Sequence, residues 1–173
     1  FTLLVDESGS MNRESKYLAA REATVVFVTV PYPAQRQLLE DVSGLVAGKV
    51  VVDVVAPVEV SNGVARAVPV AEGSAALEAQ AILSGSAVAA AFQTISARDL
   101  LDPGASMDSD VVVCADDDNA RGVVMMLAGR IPGLRAVNGG GLQNAAYVEN
   151  LTALLLNINR LYRTRSSIKI TGI

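Results

Sequence analysis

Apolar residues fall along the chain in short runs separated by polar, glycine- and proline-bearing breaks. Phe1-Thr2-Leu3-Leu4-Val5 is long enough for one short strand. Asp6 to Asn12 is polar and contains glycine, which suits a loop. Arg13 to Glu22 fits a helix. Ala23 to Val30 is dominated by β-branched residues, and Pro31 and Pro33 stop it as a strand. Pro33 starts a helix over Ala34 to Asp41, because its fixed φ suits the first turn. Lys49 to Val55 is apolar on both faces and predicts a strand inside a sheet. Ala56 to Ala71 shows no clear period. An alanine-rich helix follows Glu72-Gly73-Ser74 and runs to Leu83, and Ala87 to Phe92 reads as a third strand after Gly85-Ser86. The alternation predicts a βαβ series.

Leu100 to Ser109, with Asp102-Pro103-Gly104, reads as a boundary between two packed units. It divides the chain into residues 1–99 and 100–173. Beyond it, Asp110 to Cys114 predicts a strand. Asn119 to Ala128 predicts a helix, with Asp116 or Asp117 accepting its orphan N–H bonds. Pro132-Gly133 turns the chain into Leu134 to Val137, and Gly139-Gly140-Gly141 makes a bend without side chains. Gln143 to Tyr162 predicts the longest helix. Val148, Leu151, Leu154, Leu155, Ile158 and Leu161 recur there at intervals that favour one face. Ser167 to Ile173 is expected to close as a last strand. The fold class is therefore α/β, a parallel sheet with a small C-terminal α/β unit.

Composition narrows the chemistry. The 173 residues are 51% hydrophobic but only 4% aromatic, so the core is built from Val, Leu, Ile and Ala. Lys and Arg number 14 against 18 Asp and Glu, a net charge of −4 that carries no nucleic-acid footprint. The locally basic stretch Arg160, Arg163, Arg165, Lys169 fits a helix C-terminus and its exit, with an anion contact as the alternative. There is no histidine, which removes the serine-hydrolase arrangement and the commonest zinc ligand. Asp116-Asp117-Asp118 lacks the alternating spacing of a calcium loop. Cys114, the single cysteine, sits at a strand end and reads as a buried small hydrophobe. No run is apolar for long enough to span a membrane, and Phe1 to Val5 is too short for a secretory segment, so a cytoplasmic protein is expected.

In open α/β sheets the crevice forms beyond the carboxyl ends of the strands. Here those positions are Thr29 to Tyr32, Ala56 to Glu59 and Gln93 to Ala97. Such a groove suits hydride transfer, in which cofactors carry the reactive atoms and protein supplies alignment and exclusion of water.

The same loops carry a resemblance. Gly9-Ser10-Met11-Asn12-Arg13, Val28-Thr29-Val30-Pro31-Tyr32, Val52-Asp53-Val54-Val55-Ala56-Pro57-Val58 and Gly73-Ser74-Ala75-Ala76 begin an ordered set of pieces. The set continues through Ala91 to Ala97, Val113 to Asp118, Leu142-Gln143-Asn144 and Val148 to Ile158. Together they resemble the coenzyme F420-dependent NADP reductases. The resemblance implies a Rossmann domain and a small C-terminal α/β domain, with NADP over the sheet and the deazaflavin F420 across its nicotinamide. It implies that Thr29, Val30, Pro31 and Tyr32 flank the NADP ribose and nicotinamide. Ala56, Pro57 and Val58 would lie beside the contact of the two rings, and Gln93, Thr94 and Ile95 would border the same cleft. Gly139, Gly140, Gly141, Leu142 and Asn144 would wall it from the second domain. A cytoplasmic homo-oligomer is implied as well.

This sequence departs from that pattern in several places. The opening strand, Gly-rich turn and helix, and the second strand ending in Ser-Arg, are missing, so the Rossmann sheet is partial. Gln93 stands for a histidine, Ala146 for an arginine and Gly141 for a proline. Loss of the first strand leaves Ala23–Val30 as an open edge. Three arrangements would repair it: Phe1–Val5 fills the gap, a second chain covers it, or the chain belongs to a longer product. The departures keep two further readings open beside the reductase: a non-catalytic or partner-completed interaction module, and a protein that binds F420 or another small ligand only.

Overall fold

The computed structural model describes residues 2–5, 20–21, 23–102, 104 and 107–173, the first four as backbone alone. The expected loop at Asp6–Asn12, the piece Gly9–Arg13 and nearly all of the helix expected from Arg13 lie outside these residues, as does Pro103.

Six strands form one sheet in the order β1 (Thr2–Val5), β2 (Val25–Val28), β3 (Val50–Asp53), β6 (Ala87–Ala90), β7 (Ser109–Ala115) and β8 (Leu134–Asn138). The first four run parallel. β7 is antiparallel to β6, pairing Ala89 with Ala115, and β8 is parallel to β7. The α/β class is as expected, with this reversal added. Of the three repairs to the open edge, the structure shows the first: Thr2 to Val5 pair in register with Val25 to Val28.

β-branched residues stiffen β2 and β3, and the alternation of their side chains supplies both faces of the sheet. Val26, Val28, Val51, Val88 and Ala90 pack on one face against α1 (Tyr32–Val46) and α2 (Ala75–Ile82). α1 buries Gln35, Leu39, Val42 and Val46 at a helical period. On the opposite face Val25, Val52, Ala89, Val111 and Val113 meet α4 (Asp118–Ala128) through Ala120, Val124 and Ala128. Small alanines on strand and helix let the layers approach closely.

Two stretches differ from expectation. The irregular Ala56–Ala71 segment holds a hairpin, β4 (Val58–Ser61) and β5 (Val64–Ala67), turned by Asn62 at φ 50° and Gly63 at φ 73°. Both central residues of the two-residue turn have positive φ, the geometry that matches strand twist in a hairpin. Ser167–Ile173 makes no strand; the tail is pinned by a backbone bond, Asp110 N–H to the Ile168 carbonyl at 2.8 Å, and by Arg135, which pairs with Asp110 at 2.7 Å and donates to the Ile170 and Ile173 carbonyls. The Asp110 carboxylate also accepts from Ile170 N, so side chains replace a ladder there.

The ends of α2 and α4 follow the sequence closely, whereas α1 extends over Tyr32–Val46, two residues before and five beyond the expected Ala34–Asp41. Asp117 caps α4 by accepting from Ala120 N at 2.6 Å, and Ser74 caps α2 by accepting from Leu77 N at 3.0 Å. The long helix α5 (Ala145–Tyr162) is preceded by a 3-10 turn at Leu142–Asn144 and follows a four-residue helix, α3 (Ala97–Leu100), much earlier in the chain. The basic residues at its exit have partners nearby: Arg160 donates to the Asn62 carbonyl, Arg165 pairs with Asp99 at 2.6 Å, and Lys169 pairs with Asp108.

Candidate functional site at the carboxyl ends of the parallel strands

Thr29 to Tyr32, Ala56 to Val58 and Gln93 to Ile95 follow β2, β3 and β6 directly. Those strands are neighbours and parallel, so the three groups share one crest of the sheet. Two hydrogen bonds tie the crest together: Val54 N–H to the Val28 carbonyl at 3.2 Å, and Gln93 Nε2 to the Asp53 carbonyl at 2.9 Å. Phe92, at φ 71°, occupies the left-handed region that L residues seldom adopt. This turn follows β6 and brings Gln93 back over the end of β3, while the Phe92 ring meets Phe27 at 5.9 Å.

α5 climbs to the same crest. Thr152 Oγ1 donates to the Gln93 carbonyl at 3.0 Å. Glu149, buried, accepts from the N–H groups of Ala75 at 2.8 Å and Ala76 at 3.1 Å. A carboxylate therefore fills the positive end of α2. Burial raises the Glu149 pKa above 4.5, and the two backbone bonds oppose that rise. Across from it, Arg36 on α1 pairs with Glu72 at 3.1 Å and with Glu78. Burial, then the charges of Glu78 and Glu72, raise the Tyr32 pKa.

Two clefts flank α5 at the crest. One, of about 390 Å³, is lined by Gln93, Thr94, Ile95, Arg98, Thr152 and Leu155 among others. The second, of about 360 Å³, is lined by Pro57, Val68, Pro69, Gly73, Glu149 and Asn150 among others. Thr29 to Tyr32 line neither of them. Val30 is buried in the core, Pro31 is exposed, and Tyr32 opens α1.

Gly140, Gly141, Leu142 and Asn144 line neither cleft, and the turn Leu142–Asn144 contacts β6 and α2. β7 and β8 run opposite to β6, and their register sets Gly139, one residue past β8, level with Cys114 and with Ala90 at the end of β6. The Gly140 carbonyl accepts from Ala115 N at 3.0 Å, and Ala115 pairs with Ala89 inside β6. Leu142 has no exposed surface and packs with Val28, Val51 and the alanines of α2. Gly139 fits because a Cβ there would stand 2.6 Å from Cys114 Sγ and from Val112 Cγ1.

The sequence reading did not single out Glu149, Thr152, Asp53 or Arg36. For Glu149 a signal existed, since a lone acid amid the apolar positions of a helix face implies a buried partner. Asp53 is buried with Oδ1 accepting from Val55 N at 2.8 Å, while Oδ2 has no protein partner. Burial raises its pKa well above 3.8. Among the described residues no cluster of His, Cys, Asp and Glu could hold a metal ion, and no helix is long and apolar enough to cross a membrane.

An open α/β sheet with a crevice at the crest of its parallel strands places this protein in the Rossmann-type nucleotide-binding class. A family model described as NADP oxidoreductase, coenzyme F420-dependent, matches residues 3–57. The F420-dependent NADP reductase of Methanothermobacter marburgensis is 38% identical over 170 residues, covering 95% of this chain and 74% of the relative. That of Methanocaldococcus jannaschii is 32% identical over 158 residues, covering 90% and 71%. The crystal structure of a protein from Arthrobacter sp. FB24, provisionally assigned as an F420-dependent NADP reductase, superposes with a TM-score of 0.80 at 22% identity. It shares the fold over 90% of this chain and 73% of that one. The chain belongs to the F420-dependent NADP reductase family.

Proposed function

We propose that the crest of β2, β3 and β6 aligns a nicotinamide against a deazaflavin, and that the chain transfers hydride between coenzyme F420 and NADP. The supporting observation is the convergence of Thr29–Tyr32, Ala56–Val58 and Gln93–Ile95 on adjacent parallel strand ends, in a chain 32–39% identical to reductases named for that reaction. When bound, the two cofactors supply the hydride donor and acceptor carbons. The chain's own part is to orient flat rings and keep water out. Pro57 and Ile95 offer apolar walls, and Thr29 and Thr94 offer hydroxyls on the same crest. The boundary near residue 100 then separates a dinucleotide unit, 1–99, from a unit, 100–173, whose α5 closes the crest from above. The cytoplasm, where a buried lone thiol stays reduced, is the compartment that fits.

Among the described residues the fit is good for the rings and poor for the phosphates. The N–H groups that open α2 are already taken by Glu149, and α1 opens with Pro31-Tyr32-Pro33, whose prolines donate nothing. Among the described residues no backbone cradle for a pyrophosphate remains. That observation favours a second reading, in which F420 binds here and the dinucleotide grip comes from a partner or is lost.

Titration of the chain with F420 and, separately, with NADP, followed by a hydride-transfer assay, tests both. Binding of both with turnover supports the reductase. Binding of F420 alone, without turnover, supports the second reading. No binding of either at high micromolar concentration refutes both.

A further inference from the structure

The two clefts beside α5 differ in charge. Among the described residues, the one lined by Pro57, Gly73 and Glu149 has a carboxylate and no cation. The one lined by Gln93 and Thr152 has two arginines, Arg98 and Arg165, and no acid, in a chain whose net charge is −4. Arg165 belongs to the basic stretch whose alternative role was an anion contact. It engages Asp99 through Nε at 2.6 Å, which leaves its two outer nitrogens to donate elsewhere. Arg98 is exposed on the short helix α3, and its side chain has no hydrogen-bond or ion-pair partner among the described residues. Ser96, in the same lining, accepts from Asp99 N at 3.4 Å and keeps its hydroxyl hydrogen to donate.

Gln93 offers the cleft a different contact. Its side chain is buried, with Nε2 fixed on the Asp53 carbonyl at 2.9 Å, and Oε1 has no partner among the described residues. A buried acceptor without a donor is costly, and an N–H brought by a ligand would satisfy this one. At about 390 Å³ the cleft is within the range of small-molecule sites, and Ile95, Leu155 and Leu156 give it apolar walls.

We propose that this cleft selects a flat ring system that carries an anionic arm. Gln93 Oε1 accepts an N–H from the ring edge, and Arg98, with Arg165 and Ser96, holds the phosphate or carboxylates of the arm. The inference rests on the reading of the crest as a deazaflavin site, and adds which feature of the deazaflavin is recognised. Coenzyme F420 has both parts: a ring edge with N–H groups, and an arm with a phosphodiester and carboxylates. NADP carries phosphates too. A Rossmann sheet, however, holds a pyrophosphate on the N-terminal amides of a long helix. Among the described residues, the helix that opens at this cleft is the four-residue α3.

Fluorescence titration with three ligands tests the proposal: F420, the same deazaflavin cut back to its uncharged ribityl chain, and the monophosphate of that shortened form. F420 should bind at least about tenfold more tightly than the uncharged form, a difference lost in Arg98→Gln and largely kept in Arg98→Lys. Recovery of affinity by the monophosphate assigns the arginines to phosphate, and recovery by F420 alone assigns them to the carboxylates. Salt gives a second readout: added sodium chloride should weaken F420 binding more steeply in wild type than in Arg98→Gln. Arg98 is exposed and unpartnered, so the variant should keep the wild-type circular dichroism spectrum. Arg130→Gln, at an exposed position past α4, should change neither discrimination nor salt dependence. Equal wild-type affinity for F420 and the uncharged form overturns the inference and leaves the crest a deazaflavin site. No binding of any of the three overturns both. Discrimination that survives in Arg98→Gln also overturns it, and loss of NADP affinity in that variant with F420 unaffected overturns it in favour of a dinucleotide phosphate.

Discussion

Glu149 makes the sharpest test of how the crest is held. Its carboxylate is the acceptor for Ala75 N–H and Ala76 N–H, the first two amides of α2, and both alanines are fully buried. Glu149→Ala leaves the two donors without their protein acceptor, at the base of the cleft that Glu149 lines. Each orphaned amide costs about 1–3 kcal/mol. Removing a desolvated carboxylate returns part of that sum, leaving a net loss of about 2–5 kcal/mol. Glu149→Gln keeps one acceptor and presents an N–H to the other amide, at a cost of about 1–3 kcal/mol. The order of stability is therefore wild type, then Gln, then Ala, read by urea unfolding at neutral pH. Native-state hydrogen exchange should accelerate at residues 75 and 76 before the rest of α2. The pH dependence has a definite sign. Because burial raises the folded pKa, this group contributes most below about 4.5, and its contribution falls as pH rises through the folded value. Glu149→Gln should flatten that slope. An Ala variant as stable as wild type within about 0.5 kcal/mol would refute the capping role, since surface changes stay within that margin.

Three other expectations follow from single sites. Asp110 is held down from 3.8 to about 2, first by its hydrogen bonds with Arg135; its contribution is full above the usual carboxylate range and lost as pH falls from about 4 through 2, so Asp110→Asn should remove that portion of acid unfolding seen by circular dichroism. Cys114 is buried with its thiol pushed up to about 11 by desolvation, so a thiol reagent at pH 8 should label it only at the rate of unfolding; immediate stoichiometric labelling of the native protein would contradict its placement. Gly139→Ala puts a Cβ 2.6 Å from Cys114 Sγ and 3.2 Å from the Val113 carbonyl, so thermal unfolding should report a loss of about 1–3 kcal/mol.

The parts of the fold that were legible in sequence are those governed by local rules. β2 and β3 are β-branched runs ended by proline or a polar residue, α2 begins after Ser74 as expected, and α4 carries Asp117, one of the two expected caps. The hairpin at Val58–Ala67 was also written locally: Asn62-Gly63 between two alternating tetrapeptides is a strong two-residue turn signal. It was obscured because both strands are largely exposed and show no apolar run. The left-handed Phe92 carries no local mark, since a bulky residue is chosen against there. Its turn is held by non-local bonds, Gln93 Nε2 to the Asp53 carbonyl and Thr152 Oγ1 to the Gln93 carbonyl. Glu149 is a partner in a contact 74 residues away in sequence, which periodicity within α5 cannot reveal.

The division of the expected site residues has a single physical origin in chain direction. Right-handed crossovers through α1 and through α2 return the chain to the same end of the sheet, so the exits of β2, β3 and β6 fall together. Sequence alone shows this, because a helical segment of adequate length separates each pair of apolar runs. Between β6 and β7 only the four-residue α3 intervenes, too short to cover the sheet and carry the chain back. β7 therefore runs antiparallel, and Gly139–Asn144, placed after β8, meet the end of β6 and α2 from the side without lining either cleft. The middle of α5 reaches the crest through Glu149 and Thr152. The inner side of that helix holds the crest through Glu149 and Thr152, and Tyr147, Leu154 and Leu161 on its outer side are exposed.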